Sequence, residues 1–166
     1  MKSGATLRAI LLTAAIACAQ GPPPSQPAPT ETYVNTRFGY VVEYPKTLVP
    51  QGEAENGDGQ RFVSKDKTFT LTVWGIHNVM ENTVKAECEQ RIRFEQQHHP
   101  FTVSYKVVRD GWFAFSGAAG PTILYQKAFL QDGVFKTVQL EYPVAQKDPL
   151  DSVVTQIVAS FRAATQ

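Results

Sequence analysis

The chain has 166 residues, of which 16 are Lys or Arg and 15 are Asp or Glu, and its formal charge is +1. Because the two signs nearly cancel, the chain lacks the excess of basic residues with which proteins bind the phosphates of nucleic acid. No nucleic-acid partner is therefore expected. All aromatic residues follow Thr32, which leaves residues 33–166 for a single domain. A domain of that size builds its core without disulfide bonds.

A secretory leader is predicted at the start of the chain. Lys2 and Arg8 accompany the uncharged run "AILLTAAIA", which is too short to span a bilayer and ends in small residues. One interpretation is a signal peptide of residues 1–19 that is cleaved and discarded. We therefore expect export, to the periplasm or the cell envelope.

Cys18 offers a second way to process the leader. A lipoprotein signal would comprise residues 1–17, and the thiol of Cys18 would receive the lipid, although Ala15 stands where a bacterial lipobox usually has Leu. Acyl chains would then hold the domain at a membrane. The two alternatives stay open, and the lipid on Cys18 is the only membrane contact that we expect.

Residues 20–32 form a proline-rich linker. Their run "GPPPSQPAPTET" lacks backbone donors at each proline and favours extended polyproline conformations. Such a segment is typical of a semi-rigid spacer, and also of a plain disordered terminus. The folded domain is expected to begin at residue 33.

The domain opens with strand patterns. Residues 37–45, "RFGYVVEYP", are β-rich and end at a proline, and a looser stretch precedes the short run "QRFVS". Alternation is clear in "TFTLTVWGI", where Phe69, Leu71 and Val73 face one side. A period of two indicates a strand.

A helix is predicted next, from about Val79 to Gln97. Apolar residues recur every four positions, Asn78 is placed to cap the helix with Glu81 in a capping box, and a proline follows its end. Cys88 lies on the apolar stripe, so a buried, inert thiol is favoured over a reactive one.

Four further strands and a closing helix complete the domain. The strands are "FTVSYKVVR", "GWFAFSG", "PTILYQKAFLQ" and "GVFKTVQLEYP", and two of the turns between them are Asp-Gly pairs that suit tight hairpins. The last helix starts at Asp148-Pro149 with one apolar stripe. We expect an α+β fold in which helices cover both faces of an antiparallel sheet, an α/β/α sandwich that buries Trp74 and Ile76.

These elements resemble a known family. "FGYVVEYP", a Gly/Asp-rich loop leading to "RFVS", the helix, and "YPVAQKDPLDSVVTQIVASF" are similar to the PsbP-like members of the Mog1/PsbP group. The chain is also similar to small uncharacterised exported bacterial proteins with a "GDGQRF" loop and an "ASFR" ending. The resemblance implies a Mog1/PsbP-like fold and binding or accessory roles at larger assemblies, and it supplies no catalytic motif.

Glu53, Glu55 and Asp58 form the first candidate site, in "GEAENGDGQRFVS". Counted from Glu53 as an EF-hand loop, the sixth position is Asp58 where glycine is required, and the twelfth is Ser64 where glutamate is required. The favoured interpretation is a solvated turn with Asn-Gly and Asp-Gly as turn formers, and a less regular calcium site on the three carboxylates is the alternative. Loops of this kind also carry recognition.

The remaining candidates are three histidines, a serine and a tryptophan. His98 and His99 are expected to satisfy carbonyls at a helix end rather than bind metal. His77 follows a strand, where clefts form, and Ser116 lacks the first glycine of a nucleophile elbow. Trp112 follows an Asp-Gly turn, where either core packing or surface anchoring is possible.

The sequence therefore favours a noncatalytic exported envelope protein that binds another envelope protein or assembly. Its candidate binding surface comprises five residues: Trp112, His77, Glu53, Glu55 and Asp58. No metal is expected, because the EF-hand pattern fails and no third ligand lies near His98 and His99 in sequence. No cofactor is expected, because neither a phosphate loop nor a dinucleotide fingerprint is present. Two alternatives remain. One is a small-molecule carrier or hydrolase whose site forms only in the fold, for example from His77 with a carboxylate or Ser116, and the other is an immunity or inhibitor protein.

Overall fold

The computed structural model of the protein describes residues 29–164. The predicted signal peptide, Cys18 and residues 20–28 of the predicted linker lie outside them. The elements, in chain order, are β1 (Thr30–Asn35), β2 (Tyr40–Pro45), β3 (Leu48–Glu53), β4 (Gly59–Ser64), β5 (Thr70–His77), α1 (Val84–His98), β6 (Phe101–Arg109), β7 (Trp112–Ala119), β8 (Thr122–Gln131), β9 (Val134–Pro143), a 3-10 turn (Val144–Gln146), α2 (Lys147–Ser160) and β10 (Arg162–Ala163).

Seven strands form the main sheet, which is antiparallel throughout. Their order is β3-β4-β5-β9-β8-β7-β6, so the two halves of the chain meet where β5 pairs with β9. The predicted meander β6-β7-β8-β9 is confirmed. Asp132 and Gly133 both adopt positive φ in its last hairpin, which the residue pair tolerates with little strain.

The two faces of the main sheet are covered differently. One face packs against α2 and a second, three-stranded sheet of order β1-β2-β10, and the opposite face packs against α1. The α+β class and the antiparallel sheet are confirmed. The second sheet was not predicted, because β1 starts at Thr30 inside the predicted linker and β10 has only two residues.

The expectation that Ile76 is buried was wrong. Helix α1 packs against β6 and β7, so it leaves part of its own face of the sheet uncovered near β5. Trp74 is half-buried beside α1, and Ile76, two residues further along, is 52% exposed. The sandwich is therefore open above the last residues of β5, an interior strand of the sheet.

The predicted start of the first helix was also wrong. α1 begins at Val84, and its N-cap is Thr83, whose hydroxyl accepts from the Ala86 amide at 3.1 Å. Asn78 instead closes the preceding loop by bonding both the N–H and the C=O of Asn82, each at 2.9 Å. The side-chain oxygen of Asn78 that was expected to cap the helix is thus bound within the turn.

Arg91 joins α1 to the sheet. Its side chain is largely buried and forms an ion pair with Glu87 at 2.8 Å. The guanidinium also donates to Gln126 Oε1 at 3.1 Å and to Thr137 Oγ1 at 2.8 Å. Burial lowers the pKa of Arg91, and the contact with Glu87 opposes that shift. Gln126 and Thr137, on strands of the main sheet, thus help to satisfy the positive charge of Arg91 in the protein interior.

We expect Arg91→Met to lower the free energy of unfolding by about 3 kcal/mol, because Glu87 would stay buried without its partner. The double variant Glu87→Gln/Arg91→Met should lose less than Arg91→Met alone. Urea unfolding measures both. As a control, Lys147→Met breaks the exposed ion pair with Asp151 and should cost less than about 1 kcal/mol. Equal decreases in the free energy of unfolding for Arg91→Met, the double variant and Lys147→Met would contradict this account.

Candidate binding surface

The loops at one end of the main sheet form a continuous surface, here called the loop end. Backbone hydrogen bonds hold them together: Gly75 N–H to Asp58 O, Asn78 N–H to Gly133 O and Leu130 N–H to Gly111 O, at 2.7 to 2.9 Å. The loop end comprises residues 35–39, 54–58, 78–83, 110–111 and 131–133, together with the strand residues His77, Trp112 and Lys136 that line its clefts. Segments that are far apart in sequence therefore make one surface.

The Gly/Asp-rich stretch is a turn, as the sequence favoured, and it joins β3 to β4. Asp58 pairs with Arg37 at 2.8 Å, and the same guanidinium donates to Asn56 O. Glu53 accepts the hydroxyl of Tyr33 at 2.6 Å, and the contact contributes, after burial, to raising the pKa of Tyr33 to about 12. The carboxylates of Glu53 and Asp58 are thus bound by other side chains of the protein, whereas Glu55 is exposed. Within residues 29–164 no three His, Cys, Asp or Glu side chains converge on a metal-sized site.

His77 lines the first of two clefts at the loop end. This cleft has a volume of about 510 Å³ and lies between residues 34–39 and the β8–β9 hairpin. The imidazole meets the Phe38 ring edge-to-face, with 5.3 Å between ring centroids. Gly75 makes room for Phe38, because a Cβ there would lie 2.4 Å from the ring. Lys136 and Asp132 line the same cleft.

Trp112 lines the second cleft, which has a volume of about 630 Å³. The indole is half-buried, so it serves in part as packing and in part as surface. Lys127 Nζ lies 5.7 Å from the Trp112 ring centroid and donates to Val158 O at 3.3 Å. Phe129 and Phe161 complete the aromatic wall. Gln131 borders both clefts and connects them.

The turn between β5 and α1 projects beside the first cleft. Val79 is 82% exposed and Met80 is 77% exposed. The double hydrogen bond between Asn78 and Asn82 closes this turn, and Glu81 has a φ of 51°. Two adjacent apolar side chains are thus held in water by a defined backbone, which is a costly arrangement for an isolated domain.

His77 and Ser116 are not brought together. Ser116 is level with Leu71 across the sheet, three strands from β5, and His77 lies six residues further along β5. Standard strand dimensions separate them by about 14 Å across the sheet and about 20 Å along it. Ser116 Oγ donates to Leu124 O at 3.0 Å. The hydrolase hypothesis built on this pair therefore has no geometric support.

The expectations for His98 and for the burial of Cys88 are confirmed, whereas the hydrogen bond of His99 to Glu95 O comes from its backbone N–H. His98 Nδ1 lies 2.7 Å from Phe94 O at the end of the helix, where an imidazole can satisfy a free carbonyl. Cys88 is fully buried, and burial raises the pKa of its thiol. Neither His98 nor Cys88 contributes to the loop end.

Comparison with known proteins bears on the fold. No family model and no curated protein matches the sequence. The solution structure of cyanobacterial PsbP (CyanoP) from Synechocystis sp. PCC 6803 is similar over 87% of this chain and 98% of that chain, with a TM-score of 0.64 and 14% identity. The fold is PsbP-like. This likeness confirms the family resemblance at the level of architecture.

A second structure, from Bacteroides thetaiotaomicron VPI-5482, is similar over 81% of this chain and 48% of that chain, with 12% identity and a TM-score of 0.44.

Neither helix of the PsbP-like domain in residues 29–164 combines the length and apolar character that crossing a bilayer requires.

Two features of the loop end were missed by sequence reasoning. Met80 was assigned to a helix because it begins the four-residue apolar period, and Val79 because it follows the expected cap Asn78, although the Asn residues at both sides signal a turn. Lys136 was not singled out, because one lysine in a strand usually faces solvent.

We expect Asn78→Ala to loosen the exposed turn, since the Asn82 amide loses its acceptor. Hydrogen exchange at Asn82 should accelerate by about tenfold or more, corresponding to about 1.4 kcal/mol of lost protection. Asn78→Asp is the matched control, because it keeps the acceptor oxygen and should retain most of the protection. Equal exchange in both variants would show that another contact holds the turn.

Proposed function

We propose that this protein is a noncatalytic, exported binding or accessory module that docks another protein of the cell envelope through its loop end. The observation that carries the proposal is the turn of residues 78–83, which holds Val79 and Met80 in solvent on a hydrogen-bonded backbone. Apolar side chains in a preorganised turn bind with little further loss of conformational entropy. The first cleft, beside the turn, and the second cleft, on the other side of Gln131, offer room for side chains of the partner.

A protein suits this turn better than a lipid surface. Glu81 is the only charged residue in residues 78–83, and a turn with net negative charge is repelled by anionic headgroups. A partner protein can instead bury Val79 and Met80 in an apolar pocket and place a cation near Glu81. The hydrolase alternative lacks support from the positions of His77 and Ser116. The immunity or inhibitor alternative differs only in the identity of the partner.

The docking proposal is tested by site-specific photo-crosslinking in the source cells. With the photoreactive residue at position 80, the full-length protein should crosslink to one partner reproducibly, and with it at position 49 it should not. Val49 is a fair control because it is 44% exposed but lies on the edge strand β3.

Binding measurements on the purified protein and its crosslinked partner then give the contribution of the turn to the affinity. We expect Met80→Asp to weaken binding by at least about tenfold, as for a central apolar anchor, and Val49→Asp to leave it unchanged. Equal crosslinking from positions 80 and 49, or equal binding by the two variants, would overturn the proposed surface.

Export and the possible lipid on Cys18 are part of the same proposal and rest on residues 1–19. We expect intact mass spectrometry of the protein from the envelope fraction to show a mature start at Cys18 with added acyl mass, or a start at Gln20 without it. Cys18→Ala should abolish incorporation of labelled palmitate in the first case only. A protein that keeps Met1 and stays in the cytoplasm would overturn export.

A further inference from the structure

Lys136 is a buried cation at the base of the first cleft. It lies on the central strand β9 and is only 4% exposed. Its Nζ donates to Gln131 Oε1 at 2.8 Å and to Gly39 O at 3.2 Å, and it lies 5.6 Å from the Phe129 ring centroid. All three partners are electrically neutral.

The ammonium group of Lys136 is incompletely satisfied. It carries three N–H donors, and Gln131 and Gly39 take two of them. None of the ion pairs formed within residues 29–164 includes Lys136. Burial lowers its pKa, and the charge of Asp132 partly opposes that shift. A buried charge without a counter-ion is costly, so an anion that reaches Nζ would relieve a cost already present in the fold.

The first cleft gives such an anion a place. Its volume of about 510 Å³ falls in the range of small-molecule sites. Four charged or titratable side chains line it: Arg37, His77, Asp132 and Lys136. Arg37 already pairs with Asp58 at 2.8 Å. Lys136 therefore remains the cation without a carboxylate partner among the described residues of the cleft.

We propose that the first cleft binds a small monocarboxylate with an apolar body, whose carboxylate accepts from Lys136. A single negative charge fits better than a phosphate dianion, because Asp132 lines the same cleft and would repel the second charge. Val34 and Phe38 provide an apolar wall for the rest of the ligand. The proposal goes beyond protein docking and stands independently of it, since Met80 does not line this cleft.

The test uses the full mature chain and two matched probes, benzoate and the neutral benzamide, in calorimetry at pH 7 and low salt. Benzoate should bind and benzamide should bind at least about tenfold more weakly. Lys136→Met should lose benzoate binding by a similar factor. Because this change replaces a buried charge by a side chain of similar length, we expect the variant to fold, and circular dichroism with thermal unfolding checks that it does.

Two controls locate the interaction. Lys127→Met removes a half-buried lysine from the second cleft and should leave benzoate binding unchanged, as should Met80→Asp. Backbone amide shifts induced by benzoate should cluster at residues 34–39 and 131–136. Equal affinity for benzoate in the parent and Lys136→Met, or equal affinity for the two probes, would overturn the proposal.

A carboxylate from the chain itself is the competing occupant. Ala164 lines the first cleft, and its N–H donates to Gly39 O at 2.9 Å; two residues, Thr165 and Gln166, follow it in the sequence. A chain whose C-terminal carboxyl is converted to an amide by ligation separates the two sources. If only the amidated chain binds benzoate, the free-ligand proposal is overturned and the site belongs to the protein's own terminus. If neither form binds benzoate, a carboxylate site is overturned altogether.

Discussion

The pairing of β9 between β5 and β8 is the constraint on which the rest of the structure depends. β9 is buried over most of its length, and alternate residues enter the two cores. Thr137 faces α1 and accepts from Arg91, whereas Lys136, one position earlier, faces the opposite layer and reaches the first cleft. A slip of one residue in this register would exchange the two faces. It would leave Arg91 without one of its acceptors and remove the ammonium from the cleft.

Much of the main sheet follows from local sequence. Period-two alternation identifies β5, and the Asp-Gly pairs give the hairpins of the meander without knowledge of tertiary contacts. β3 escaped notice because its residues after Leu48 are all exposed, so the strand shows no alternation. The start of α1 was misplaced because Asn78 has the chemistry of a helix cap and of a turn, and only the position of Asn82 decides between them.

The loop end could be predicted only in pieces. His77, Trp112 and Asp58 were each suspected from their positions after strands or beside turns, but their gathering depends on the strand order. Lys136 carried no local signal, since its burial depends on residues 34–39 and Ala164, which are distant in sequence and line the same cleft. Sequence periodicity reports which face a residue occupies and not which layer covers that face. For this reason the strands can be predicted from sequence periodicity, whereas the clefts can be located only once the strand order and the covering layers are known.

β1 places the start of the domain far from the loop end. Thr30 pairs with Pro45 and Asn35 pairs with Tyr40, so the strand covers about 20 Å between the two ends. If the chain were anchored before Pro29 while a partner held the loop end, a pulling force would act parallel to the strands. The hydrogen bonds between β1 and β2 lie across that direction, so they would be loaded together in shear rather than opened one after another. The attachment of β1 is therefore built to resist pulling as well as to close the core.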